Sequence, residues 1–264
     1  MELRAYQQDF KREIYAAISQ GHKRVLCCCA TGGGKTVVFT KITQDICSKD
    51  RPVVVCVKRR KLIKQASDTF RKAGIPHGVY MANHPRWRPR EKVQICSIDT
   101  LDSRSAYPHT DDHRVIVIVD EAHDASPTNQ QYTRFLNQYL GRTVLGFTAT
   151  PYGNNGHWGK VVLTTHPHEI RDMGFLVPEV TYVPNVVQLG SKKYDSDELA
   201  DLVSGSKIIG DIVDSWRRYG QGRPTIIFAV TVAHSMAIEK AYQDAGIKMV
   251  HCDASIPNLS LIHI

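Results

Sequence analysis

Lys35 and Thr36 follow three consecutive glycines in the run Cys29-Ala30-Thr31-Gly32-Gly33-Gly34-Lys35-Thr36. Glycines let a backbone curl until several N–H groups face one anion, and a lysine and a hydroxyl directly after them complete a phosphate cradle. In such a cradle Lys35 reaches the β- and γ-phosphates of a nucleotide, and the Thr36 hydroxyl sits on Mg²⁺. A second reactive group lies further on, Asp120-Glu121-Ala122-His123. Its adjacent carboxylates suit two tasks: Asp120 holds the metal through its water shell, and Glu121 polarises an attacking water as general base.

These groups need a scaffold that brings them together. An apolar run at residues 25–29 precedes the glycines, and an amphipathic stretch at 36–47 follows them, giving strand, loop and helix in that order. Residues 115–119 are an unbroken β-branched run, as expected for a strand buried on both faces of a parallel sheet. A carboxylate at the C-terminal tip of that strand lies beside the phosphate loop, where open α/β sheets bind ligands. Further strand-like runs fall at 53–57, 79–81, 93–97 and 144–148, with helix-like segments between them. The alternation predicts an α/β fold with a mostly parallel sheet, whose right-handed crossovers bring Lys35, Asp120 and Thr148 to one edge. A helix is expected over 6–20, with Phe10, Ile14, Ala17 and Ile18 on one face and Gly21 ending it. Residues 161–193 read as an irregular connecting stretch, and 192–197 as a polar insertion. Beyond it a helix is expected from about Asp197 toward Tyr219, buried strands at 225–230 and 248–252, and a helix at 233–246.

Asp-Glu-Ala-His together with Gly-Gly-Gly-Lys-Thr resembles the DEAD/DEAH-like group of superfamily-two helicases and translocases. Other segments match that group's motifs in order: Leu3-Arg4-Ala5-Tyr6-Gln7, residues 55–65, Ser97-Ile98-Asp99-Thr100-Leu101, Gly146-Phe147-Thr148-Ala149-Thr150-Pro151, and Ile226-Ile227-Phe228-Ala229 with His234 following. Within the group the wording is most similar to RadD-type bacterial or phage DNA repair helicases. The resemblance implies a P-loop NTPase fold: a RecA-like ATP-binding domain over residues 1–165, a connecting segment over 166–206, and an incomplete second RecA-like domain over 207–258. It implies ATP and Mg²⁺ as cofactors and a nucleic-acid partner, DNA favoured over RNA. Arg4 and Gln7 would then read adenine, and Thr31, Gly32, Gly33, Gly34, Lys35 and Thr36 would hold the phosphates. Thr36 and Asp120 would hold the metal, with Lys35, Glu121 and His123 serving catalysis. Arg59, Arg60, Lys64 and Thr100 would contact the strand, and Thr148 and Thr150 would couple nucleotide state to strand grip. Asp99 stands where the group often has Gln. The group's last two motifs, including a Gln-x-x-Gly-Arg-x-x-Arg arginine-finger segment, are expected after Asp253 and do not occur. Residues 259–264, Leu-Ser-Leu-Ile-His-Ile, match one reading frame of a common transposon-type sequencing adapter, so they are expected to be a non-native tail on a truncated gene fragment. Two alternatives stay open: a motor subunit of a restriction system, and a fragment that binds nucleotide and nucleic acid without turnover.

Composition sets outer bounds. A 264-residue chain with 42% hydrophobic residues has a real core, and a formal charge of +8 suits a polyanionic partner. No apolar run approaches the ~20 residues needed to span a bilayer. The N-terminus lacks a signal peptide's apolar core, and the expected compartment is the cytoplasm of a bacterial or phage-infected cell. Cys27, Cys28 and Cys29 fall on one strand, pointing to alternate faces, and read as small core residues rather than metal ligands. His109 and His113 lie in a polar loop and read as a surface turn. The densest basic run, Lys58-Arg59-Arg60-Lys61 with Lys64, opens a helix, where the dipole disfavours cations. That choice points to phosphate contacts. A second cluster, His84-Pro85-Arg86-Trp87-Arg88-Pro89-Arg90, is equally compatible with a base stacking on Trp87 and with Trp87 packed back on its own domain.

Overall fold

The computed structural model describes residues 2–151, 156–181, 212–220 and 222–253. It divides into two compact units, Met1–Val180 and Thr181–Ile264. The expected polar insertion at 192–197, the start of the helix from Asp197, and the tail at 259–264 lie outside the described residues.

In the first unit the strands are β1 (Arg24–Cys28), β2 (Val53–Val57), β3 (Gly78–Tyr80), β4 (Val93–Ser97), β5 (Ile116–Asp120), β6 (Thr143–Thr148) and β7 (Lys160–Leu163). They form one parallel sheet in the order β3-β4-β2-β5-β6-β1-β7. The helices are α1 (Ala5–Ser19), α2 (Lys35–Cys47), α3 (Arg60–Lys72), α4 (Ile98–Arg104), α5 (Gln130–Asn137) and α6 (Pro167–Asp172). Period-two alternation divides the strand side chains between two cores. Val25, Cys27, Val53, Val55 and Val57 meet Phe10 and Ile14 of α1, Phe39 and Ile42 of α2, and Ile63 and Phe70 of α3. Leu26, Cys28, Val54 and Cys56 face the other way, onto Ile98 and Leu101 of α4 and Tyr132, Phe135 and Leu136 of α5. The three adjacent cysteines are buried and free, split between the cores as their alternation predicts.

Strand register fixes what reaches the sheet's C-terminal edge. β6 lies between β1 and β5, pairing Cys28 with Thr148 and Asp120 with Phe147. One step on, the Cys29 N–H donates to the Thr148 carbonyl at 2.9 Å, so the phosphate loop starts level with the end of β6. Gly146 allows a close approach here: a Cβ would collide with the Trp158 ring and come within 2.8 Å of the Ala122 methyl. The Asp-Glu-Ala-His segment thereby packs directly on β6.

Two expectations need correction. Residues 161–193 do not open as an irregular connection, because β7 pairs in parallel with β1 and α6 follows it. Only Val162 of β7 is buried, and such a short, one-sided edge strand gives no clear alternation to read. In the second unit, residues 225–230 and 248–252 belong to no strand among the described residues, and Ile226 and Phe228 are exposed, Phe228 by 92%. Strand-like composition cannot build a ladder without a partner edge, and none is present among the described residues. The expected helix appears as α7 (Val232–Asp244), capped by the Thr231 hydroxyl accepting from the His234 N–H. Ile238 and Tyr242 of α7 pack on Val213, and Trp216 lies edge-on to Tyr242 at 6.0 Å.

Phe147 is fully buried, with Phe39 at 5.7 Å and Phe10 at 6.5 Å, so it joins β6 to α1 and α2. Phe147→Ala is expected to lower unfolding free energy by about 3–5 kcal/mol in a urea titration, with the slope unchanged.

Candidate functional site

The phosphate loop is held from behind by α1. The Gln7 Nε2 and the Tyr6 hydroxyl both donate to the Gly33 carbonyl at 3.0 Å, while Gln7 Oε1 accepts from the Arg4 backbone N–H at 3.0 Å. Gln7 is nearly fully buried. The structure therefore joins the Gln7 amide to the loop. The Arg4 guanidinium stacks 4.0 Å above the Phe175 ring. Gly34 has φ +87°, a left-handed conformation, and a Cβ there would strike Gln7 Nε2. Curled in this way, the loop delivers Lys35 and Thr36 to the first turn of α2, whose unpaired N–H groups favour an anion.

Lys35 Nζ lies 3.3 Å from Glu121 Oε1. Glu121 has φ +51°, a left-handed conformation that costs a non-glycine residue on the order of 1 kcal/mol. The turn throws its side chain back toward the phosphate loop. Asp120, at the end of β5, is 8% exposed, and its carboxylate accepts the Glu121 N–H at 3.0 Å. Burial, with the charge of Glu121 next, pushes the Asp120 pKa up to about 6, against the opposing pull of Lys35, the Glu121 N–H and His123. His123 Nδ1 is 3.3 Å from Glu121 Oε2 and 3.2 Å from the Thr148 hydroxyl. The Thr148 hydroxyl in turn donates to the Thr150 carbonyl at 3.1 Å and accepts the Thr150 N–H at 3.0 Å. Lys35, Asp120, Glu121, His123, Thr148 and Thr150 thus form one connected cluster across β1, β5 and β6.

β2 neighbours β5, so the loop after β2 runs along the same sheet edge. Arg59, Arg60 and Lys64 are exposed there and form no ion pair among the described residues. Lys58 differs, reaching Asp124 at 3.2 Å just past the Asp-Glu-Ala-His segment. Thr100 is 7% exposed, and its hydroxyl accepts the Ala82 N–H at 3.4 Å, so it braces a neighbouring loop instead of standing open.

A model of the family described as "Type III restriction enzyme, res subunit" matches residues 1–153. The chain belongs to this family. A 51.5 kDa protein of a Lactococcus phage (isolate 7-9) is 28% identical, with 86% of this chain and 48% of that protein aligned. The putative mitochondrial ATP-dependent helicase irc3 of Schizosaccharomyces pombe is 25% identical, over 94% of this chain and 44% of its own length. The chain therefore spans about half the length of these curated relatives. Among solved structures, the Type ISP restriction-modification enzyme LlaGI, in complex with a DNA substrate mimic, superposes with a TM-score of 0.52 at 14% identity. That alignment covers 92% of this chain and 26% of LlaGI, and it supports the fold alone.

Several contacts of the family site were not visible in its motifs. Tyr6 shares Gly33 with Gln7, Lys58 bridges to Asp124, and Phe175 with Leu176 packs on Arg4 and Gly32. Phe175 and Leu176 fall where a connecting segment is expected, so no pattern marked them. Tyr6 was legible in principle, because it sits one residue before Gln7 on a helix aimed at the loop.

The Asp120 geometry yields a pH test. Its folded pKa of about 6 exceeds the ordinary carboxylate value of 3.8, so protonation favours the folded state. The stability is fully present below about 3.8 and lost as pH rises through about 6. Asp120→Asn, which keeps the acceptor for the Glu121 N–H, is expected to be more stable than wild type at pH 7. The margin should be on the order of 3 kcal/mol, fading toward zero by pH 4 in urea titrations.

Proposed function

We propose that this chain is the ATP-binding, nucleic-acid-gripping part of an ATP-dependent helicase or translocase that acts on DNA in preference to RNA. The observation that carries the reading is the ion pair of Lys35 with Glu121 at 3.3 Å, formed where the phosphate loop, Asp120 and Thr148 converge. The residues present fit ATP·Mg²⁺. A left-handed glycine loop opens α2, and a buried carboxylate with a raised pKa waits for a cation beside it. Mg²⁺ needs few protein ligands when phosphates and waters complete its octahedron, so Asp120 and Thr36 suffice. Thr31, Gly32, Gly33, Gly34 and Lys35 would hold the phosphates. Arg4 and Gln7 would read adenine, with Gln7 also tied to the loop through Gly33.

Bound ATP·Mg²⁺ supplies the phosphoryl group whose transfer to water drives the motor. Lys35 leaves Glu121 to neutralise phosphate charge. Glu121, released, orients a water and takes its proton. His123 touches both Glu121 and Thr148, so a change at the base reaches Thr148 and Thr150 through hydrogen bonds. Arg59, Arg60 and Lys64 grip phosphates on the same edge with little sequence preference. We assign the chain to DNA repair work of the RadD type, carried out in the cytoplasm of a bacterial or phage-infected cell. A second reading, the motor of a restriction system, is favoured by the family's own description. Nuclease sequence fused or adjacent in the genome would select it.

Lys35→Ala is expected to abolish most ATP·Mg²⁺ affinity in calorimetry, and equal binding by wild type and variant would refute the cradle. Glu121→Gln should keep that affinity while lowering phosphate release by about 10²–10⁴-fold; full turnover would remove its role as base. Replacing Arg59, Arg60 and Lys64 together with alanine should flatten the salt dependence of single-strand binding by about 0.7 per lost contact. An unchanged slope would leave these residues as a solvated face.

A further inference from the structure

Beyond the basic run on α3, the first unit carries a second cationic surface that none of the motifs describes. It is the loop of residues 81–91 between β3 and β4, together with the end of α4. The loop is built rather than loose. The Val79 N–H donates to the Arg86 carbonyl at 2.9 Å, so the loop returns alongside β3. Gln94, a 1% exposed side chain of β4, donates its Nε2 to the Arg88 and Glu91 carbonyls, both at 2.8 Å. Thr100 fixes the other end through Ala82. Arg104 closes α4, which Asp102 ties to Arg134 of α5 at 2.7 and 2.8 Å.

On this frame Trp87 is 40% exposed. Its ring lies 4.5 Å from Tyr80 and 4.8 Å from the Arg104 guanidinium, while Arg104 is only 5.9 Å from Tyr80. Were Tyr80 and Arg104 on opposite faces of the indole, they would be separated by nearly the sum of their distances to it. They are much closer, so they do not sandwich Trp87. Arg88 and Arg90, in the same loop, and Arg104 are exposed. Arg88 has a loose contact with Glu91 at 3.9 Å, whereas Arg86, Arg90 and Arg104 form no ion pair among the described residues. A partly exposed aromatic ring with one guanidinium against it and further exposed arginines in its own loop matches an unpaired base with its flanking phosphates. The loop leaves the C-terminal end of β3 and returns alongside it, so Trp87 lies beside Tyr80 while Arg88 and Arg90 lead into the N-terminal end of β4, away from the edge that carries Arg59 and Arg60.

We propose that Trp87 is a stacking platform for an unpaired base of single-stranded nucleic acid, with Arg86, Arg88, Arg90 and Arg104 holding the phosphates around it. The proposal rests on the nucleic-acid reading above and adds the state of its partner: a strand whose bases are exposed. The test compares anisotropy-measured affinities for fluorescein-labelled oligo(dT) and for an abasic oligonucleotide of equal length and charge. Wild type is expected to prefer oligo(dT). Trp87→Leu, which keeps bulk without a π face, should lose on the order of tenfold in oligo(dT) affinity and erase the preference, leaving abasic binding unchanged. Trp87→Phe should retain most of the preference, separating stacking from simple loss of packing. Arg88→Gln with Arg90→Gln should weaken both oligonucleotides alike and reduce the salt slope by about 0.7 for each lost contact. A preference retained in Trp87→Leu overturns the platform. If the variant lacking Arg59, Arg60 and Lys64 weakens while Trp87→Leu does not, the nucleic-acid reading survives and the platform falls. Absence of binding by wild type to either oligonucleotide overturns both.

Discussion

Parallel pairing of β6 with β1 on one side and β5 on the other governs every distance in the candidate site. The pairing stacks Cys28, Thr148 and Asp120 at nearly one level, although they are far apart in sequence. A one-residue slip of β6 would turn Thr148 to the opposite face of the sheet and break its contact with His123. The slip is resisted because Phe147 and Leu145 are buried in one core while Val144 is buried in the other. Gly146 adds a steric lock, since Ala122 and Trp158 fill the space a side chain would need. Hydrophobic burial on both faces thus sets the positions of polar groups that contribute no burial themselves.

The polar cluster held there is unfavourable as it stands. Asp120 is buried beside another carboxylate, and Glu121 sits in a left-handed backbone conformation. Lys35 relieves part of this by pairing with Glu121, but the Asp120 pKa remains high, chiefly because the carboxylate is buried and next because Glu121 is charged. A site with a surplus of negative charge next to a helix N-terminus accepts a metal and phosphates together better than either alone. On the reading proposed above, a metal would answer Asp120 and phosphates would draw Lys35 away from Glu121. On the proposed reading, the Lys35–Glu121 pair acts as a placeholder that keeps the base occupied until a nucleotide replaces it.

Much of the first unit was legible because its signals are local. The β-branched run at 115–119, the glycines before Lys35 and the amphipathic face of Phe10, Ile14 and Ala17 each declare an element by their own period, and the elements appear within a residue or two of expectation. What stayed hidden depends on partners distant in sequence. Nothing in Lys58 or Asp124 announces that they meet, nor in Phe175 that it lies under Arg4. The Gln7 amide meets the Gly33 carbonyl, a contact that no sequence period encodes. The stretch around Phe228 shows the converse failure. Its composition is that of a buried strand, but a strand exists only where a neighbouring edge accepts its hydrogen bonds, and composition carries no information about that edge.

The edge that carries the site also carries the basic residues, and the two are physically joined. Lys58 begins the basic run and ends at Asp124, one residue past the Asp-Glu-Ala-His segment. Both side chains are partly exposed, so the pair itself contributes little stability and can be exchanged at small cost. On the proposed reading, a nucleic-acid phosphate would compete for Lys58 and free Asp124, at the end of the short helical turn Ala122–Asp124, from this pair. His123 touches Glu121 and Thr148, so this turn lies between Lys58 and the Lys35–Glu121 pair. A weak, replaceable ion pair suits that position better than a strong one. A bond worth several kcal/mol would hold the turn fixed in every state, whereas one near the exposed-pair range could, on the proposed reading, follow whether a strand is bound.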